Sequence, residues 1–227
     1  MIEILNAIAP RVDFAELKRR LHLRDDQRLQ EVRDMVTRAL PMLECRAAYT
    51  VSYVDERLDD ALVIDGVRFA SKVLRKNLDQ VERVFPYLIT IGPRLEEKAR
   101  QSSDVLEQYY LDVIGTVALA GVRQHLLDYL CGKYGLEKVS FMSPGSLKDW
   151  PLEQQRPLFA LLAEGPASLG VSLTEAFLML PKKTVSGICF PTEISFFSCQ
   201  LCPRDQCESR KAAYDESLAQ TYGLLKK

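Results

Sequence analysis

One long helix constrains this chain more than any other feature. From about residue 104 to about residue 134, Leu106, Tyr110, Val113, Ile114, Val117, Leu127 and Leu130 recur at helical spacing. Gly115, Ala118 and Gly121 sit three residues apart along one side, where small side chains let another backbone approach closely. On either side of the helix lie segments rich in Val, Ile, Tyr and Thr, the residues that favour strands. They are 46–54, 84–91, 138–142 and 184–190. Residues 62–64 form a further short strand running into an Asp65-Gly66 turn. Pro86 favours a sheet edge for the 84–91 strand, or a place among its first residues, because proline cannot donate to a ladder.

Shorter helices are expected over 13–21, where Asp13 and Glu16 form an N-terminal cap, over 25–43 and over 71–78. Others follow Gly92-Pro93, span 152–163, and span 173–180 ahead of Pro181. Strands interspersed with helices at irregular intervals give an α+β fold with a mainly antiparallel sheet and helices against it. The division is residues 1–197 as the main domain and 198–227 as a polar, Cys-rich C-terminal tail that turns modestly helical toward Lys227.

The chain has 227 residues, enough for one large domain with a proper core. Thirty Lys and Arg stand against thirty-one Asp and Glu, so no basic field for nucleic acid exists. The longest tempting apolar run, from 113 to 122, falls short of the roughly 20 residues of a membrane span. The start lacks a secretory pattern, which places the chain in the cytoplasm. No G-x-G-x-x-G, G-x-x-x-x-G-K-[ST] or G-x-S-x-G motif occurs. The two histidines, His22 and His125, have no nucleophile pattern nearby, and no catalytic residue is assigned.

Cysteine carries the strongest local signal. Cys45 and Cys131 stand among apolar neighbours, as buried thiols do. Cys199 and Cys202 form a C-x2-C pair, Cys207 supplies a third thiolate, and Cys189 at the end of the last strand could supply a fourth. An all-sulfur set suits an iron–sulfur cluster or zinc. A single knuckle with no histidine nearby favours iron–sulfur, with zinc as the alternative.

Three further segments, taken in order, resemble the reactivation domain of cobalamin-dependent methionine synthase. They are Ile89-Thr90-Ile91-Gly92 leading to 111–116 (LDVIGT), the turn Ser143-Pro144-Gly145 followed by a helix, and 173–181 (LTEAFLMLP) running into Val185-Ser186-Gly187. The last is the most specific and is similar to the family's L-T-E-S-F-x-M-x-P…S-V-S-G stretch. The resemblance covers roughly residues 10 to 197. It implies a curved α+β domain around a twisted antiparallel sheet. It also implies a domain that binds S-adenosylmethionine and sits over the cobalamin of a partner while a methyl group and an electron restore the cofactor. The implied ligand-binding residues are Ser143, Pro144, Gly145, Ser146, Ser186, Gly187 and Ile188.

The match is incomplete at the ligand. The family's R-x-x-P-G-Y reads Phe141-Met142-Ser143-Pro144-Gly145-Ser146 here, and a family glutamate on the long helix aligns with Ala120. Loss of the bidentate carboxylate partner argues against ordinary S-adenosylmethionine binding. The leading expectation is an accessory or reactivation subunit for a corrinoid methyltransferase, docking on its cobalamin domain and bringing an electron through a tail cluster. The alternatives are a regulatory binding protein with a zinc-stapled tail and an S-adenosylmethionine-binding activator.

Overall fold

The structure, a computed structural model, describes residues 1–224. The chain opens with strand β1 (Glu3–Leu5) and helices α1 (Phe14–Arg20) and α2 (Asp26–Ala39). Strands β2 (Arg46–Tyr49), β3 (Ser52–Arg57), β4 (Ala61–Ile64) and β5 (Val67–Ala70) follow, then helix α3 (Lys72–Asn77) and strand β6 (Arg83–Thr90). Helices α4 (Arg94–Gln101) and α5 (Val105–Tyr134) lead to β7 (Val139–Met142), α6 (Gln155–Leu161) and α7 (Gly165–Ser168). The hairpin β8 (Ser172–Leu173) and β9 (Met179–Leu180), strand β10 (Thr184–Pro191) and helix α8 (Glu216–Thr221) complete it. The expected helical character over 225–227 lies outside the described residues.

Caps set the long helix where the sequence puts it. The Asp104 carboxylate accepts the Leu106 N–H at 2.8 Å, and Gly135, left-handed at φ 63°, closes the other end. By length and composition α5 is long and apolar enough to cross a membrane, and half of that stretch is buried inside the fold. It packs on α1, α2, α4, β2 and β6, as the core helix of a layered domain does.

Eight strands form one antiparallel, half-barrel sheet. Strand β6 is its centre. One edge pairs with β10, which in turn pairs with β7, and the other edge pairs with β2 and then β3. This corrects the edge position that Pro86 favoured. The 46–54 segment is not one strand but two, interrupted at Thr50 and Val51, and the Thr50 N–H donates to the Pro86 carbonyl at 3.0 Å. The missing proline donor therefore falls at the break between β2 and β3, where no ladder bond is lost.

The sheet divides two cores. Ile89, Tyr87, Phe85 and Cys189 face α5, α2 and α1, while Leu88, Ile188 and Phe190 face α6 and the β4–β5 hairpin. Gly121 lets the helix approach the Arg11 carbonyl, which lies 2.7 Å from where a Cβ would stand. The close approach read from the small-residue stripe thus brings in the N-terminal segment.

Residues 173–180 are not helical. Leu173, Phe177 and Leu180 mimic helical spacing, but the Thr174 hydroxyl accepts the Leu178 N–H at 3.1 Å and Phe177 takes a left-handed φ of 60°. A side chain that satisfies its own turn competes with the helix, and the segment closes as the β8–β9 hairpin.

The segment after 197 is docked rather than loose. Leu201 and Ala219 are buried in the second core, and Phe196 stacks on Tyr222 at 5.9 Å. The Tyr222 hydroxyl donates to Asn77 Oδ1 at 3.1 Å, tying α8 to α3.

Candidate functional site: a cationic cleft under the C-terminal segment

Helix α5 turns Thr116, Ala120 and Arg123 to one side, at i, i+4 and i+7. Facing them are Phe141 from the end of β7 and Ser143 and Ser146 from the turn beyond it. Val185 of β10 forms part of the floor, and Phe196, Phe197 and Cys199 close the far wall. The cleft so formed measures about 400 Å³, within the range that holds small molecules.

The turn is fixed by its own backbone. Ser146 N–H donates to the Ser143 carbonyl at 3.2 Å, Ser146 Oγ donates to the same oxygen at 2.6 Å, and the Gly145 N–H donates to the Trp150 carbonyl at 2.7 Å. Gly145 sits at φ 83°, a conformation that glycine adopts without strain.

Beneath the turn, β7 and β10 run unusually close. A Cβ on Gly187 would lie 2.2 Å from the Met142 carbonyl oxygen, 2.9 Å from Ser143 Oγ and 3.0 Å from the Tyr87 hydroxyl. The glycine marks a close backbone approach, as its place in a strand suggested. The Tyr87 hydroxyl is buried here without a hydrogen-bond partner among the described residues. Burial pushes its pKa up to about 12, with the positive Arg123 pulling the other way.

Strand alternation sorts the expected ligand residues. Val185 and Gly187 face the cleft side, whereas Ser186 and Ile188 face the second core. Ser186 is fully buried and its hydroxyl donates to Gln155 Oε1 on α6. Ser143 and Ser146 line the cleft, Pro144 is buried behind them, Gly145 is exposed at the tip, and Gly187 lies below. Ser186 and Ile188 do not reach it.

Three cations that the sequence reading did not single out complete the lining: Arg20 from α1, Arg123 from α5 and Lys211 from the C-terminal segment. Arg20 pairs with Glu16 at 2.6 Å. Arg123 and Lys211 make no ion pair among the described residues. Both lie over the Phe141 ring, at 4.6 Å and 5.6 Å from its centre. Loss of hydration, and then the neighbouring Arg123, push the Lys211 ammonium pKa down, and the Cys199 sulfur opposes that. The cleft wall contains no Asp or Glu. Only the α5 face, read outward from Ala120, would have pointed to Arg123. A near-zero net charge hides a local cluster.

The four cysteines expected to hold a metal do not converge. Cys189 is fully buried on the α5 face of β10, its lateral neighbours are Phe85 and Phe141, and burial raises its thiol pKa well above the usual range. A thiol held neutral in an apolar layer is a poor metal ligand. No group of three His, Cys, Asp or Glu side chains able to hold a metal occurs among the described residues. The 199–207 loop is organised instead by Arg210. Its guanidinium donates to the carbonyls of Cys199 at 3.2 Å, Cys202 at 3.4 Å and Ala212 at 3.3 Å, and to that of Arg204. Cys199 Sγ accepts the Lys211 N–H at 3.4 Å, and Cys207 is exposed.

A second cleft of about 440 Å³ lies between α4 and α5. Its cations are already satisfied, Lys183 by Asp112 at 2.8 Å and Lys182 by Glu96 at 3.8 Å. The cleft under the C-terminal segment is the stronger candidate for that reason.

A sequence model of the family described as vitamin B12 dependent methionine synthase, activation domain, matches residues 148–213. It runs past residue 197, so part of the segment read as a tail lies within the match. Among solved structures, the crystal structure of the MetH reactivation domain bound to AdoHcy is similar at 14% identity and a TM-score of 0.64, covering 88% of this chain and 82% of that one. No curated protein matches. Ala120, Phe141 and Ser146 all line the one cleft. The chain thus has the fold of the methionine synthase reactivation domain over most of its length and is similar in sequence to the activation-domain family over residues 148–213.

Proposed function

We propose that this protein is an accessory subunit in the reactivation of a cobalamin-dependent methyltransferase, acting by docking on the partner's cobalamin domain. The observation that carries the reading is the coincidence of the family's sequence match with its fold across 88% of the chain. The retained turn at Ser143–Ser146 and the retained close approach at Gly187 support it, since they keep the architecture of one face while its ligand groups have changed. The test is anaerobic titration of the full chain against an isolated corrinoid domain, read by the corrin's visible spectrum and by sedimentation. Saturable association with a change in the corrin spectrum is expected. No association at about 100 μM of each component, where even weak docking partners associate, would end the reading.

Delivery of an electron through a cysteine-bound cluster is a finer reading. Its support is the C-x2-C spacing of Cys199 and Cys202 with Cys207 beyond. With Cys189 buried, a fourth ligand would have to come from a partner or a small molecule. Iron, zinc and sulfide analysis of anaerobically purified protein tests it, and absence of all three would dispose of it.

A further inference from the structure

We propose that the cleft between α5 and the C-terminal segment binds a small organic phosphate. Charge balance in the cleft points to this ligand independently of corrinoid docking. Arg20 pairs with Glu16, which it shares with Arg19, and Arg123 and Lys211 add two unpaired positive charges with no carboxylate in the cleft wall. Two like charges held over one aromatic ring repel, and Arg123 adds to the loss of hydration that pushes the Lys211 ammonium pKa down. A phosphate monoester is close to a dianion at neutral pH and would balance the pair.

The remaining walls fit the rest of such a molecule. Hydroxyls of Ser198 and Ser209 supply neutral donors, while Phe196 and Phe197 offer apolar faces for a flat organic body. At the base, Ser143 lines the cleft with the buried Tyr87 hydroxyl beneath it. A cleft of about 400 Å³ holds a nucleotide-sized molecule rather than a protein segment.

The experiment is calorimetry on the full chain with adenosine 5′-monophosphate as probe, and with adenosine and inorganic phosphate as its two halves. Saturable binding of the nucleotide at or below about 1 mM is expected, displaced by inorganic phosphate and absent for adenosine. Arg123→Gln and Lys211→Met should each weaken it by about tenfold or more, the usual effect of losing a charge-assisted contact. Lys211 is exposed, so its variant keeps the test decisive should Arg123→Gln misfold. No saturable binding up to about 10 mM would overturn the proposal. Equal affinity for adenosine, or undiminished binding in Lys211→Met and in folded Arg123→Gln, would overturn it too.

Discussion

Replacing Gly187 by Ala tests how the cleft floor is built. The added Cβ would stand 2.2 Å from the Met142 carbonyl oxygen, where real Cβ contacts essentially never fall below 3.0 Å. Strand β7 must therefore retreat by about 0.8 Å to reach even the tightest contact seen in proteins. The ladder joining Ile188 to Met142 and Cys189 to Phe141 is stretched by that movement. Overpacking a filled site costs about 1–3 kcal/mol. Weakening one or two buried ladder bonds adds about 1 kcal/mol each. Restricting the unfolded chain by Gly→Ala returns about 0.4–1 kcal/mol. The net destabilisation is about 2–4 kcal/mol, a fall in melting temperature of roughly 5–15 °C for a domain of this size. Gly115→Ala is the matched control. Its Cβ would meet side-chain carbons of Leu95, Lys183 and Ile91 at 3.3–3.4 Å and no backbone atom, so its cost should stay within about 1 kcal/mol. Calorimetric melts of both variants decide the matter. A Gly187→Ala protein melting within about 2 °C of the parent would refute the packing argument.

Four other outcomes are expected. Gly132 is exposed on α5 with nothing within 4 Å of a Cβ, so Gly132→Ala should stabilise by about 0.5–1 kcal/mol, read as a higher melting temperature. Leu201→Ala removes a buried anchor of the C-terminal segment and should cost about 2–4 kcal/mol in denaturant unfolding. Thiol labelling of the native protein at pH 8 should modify exposed Cys207 first. Cys45, whose pKa burial raises to about 11, and Cys189, raised further, should react only on unfolding, as peptide mapping of the labelled protein would show. Arg19, and then Arg20, hold the Glu16 carboxyl down at about 2 against an ordinary 4.5, so this pair's contribution is full above pH 4.5 and is lost as pH falls toward 2. Because the pair is partly solvated, Glu16→Gln should cost under about 1 kcal/mol at pH 7, and the difference from the parent should vanish near pH 2 in acid-unfolding curves.

What the sequence conveyed depended on how local the physics was. The long helix was legible because its caps and apolar spacing are local, and Asp104 and Gly135 end it close to where the pattern does. Pro86 misled because the rule for proline in sheets assumes an unbroken partner, and the break between β2 and β3 depends on the opposite strand. Residues 173–180 misled because Thr174 supplies a turn bond that apolar spacing does not register. At the site, the Ser143 turn and Gly187 were legible as backbone features. The cysteine set was not, because sequence proximity says nothing about facing. Cys189 leaves β10 on the α5 side and is sealed there, while Cys199 arrives at the cleft from the second core's side of the sheet. The cations are drawn from α1, α5 and the C-terminal segment, so their convergence is tertiary information.

The docked C-terminal segment links stability to the cleft. Phe196, Phe197, Cys199 and Lys211 wall the cleft, yet the bonds that hold them lie on the far side of the sheet. There Leu201 is buried, Tyr222 reaches Asn77, and the Lys76 ammonium donates to the Thr221 carbonyl at 2.5 Å. Between these anchors the 199–210 loop is gathered around a single guanidinium, that of Arg210, whose acceptors are all backbone carbonyls. Loosening the anchors would therefore open the cleft without touching its α5 wall. By linkage, a ligand bound between the two walls would stabilise the segment and raise the melting temperature in proportion to its occupancy.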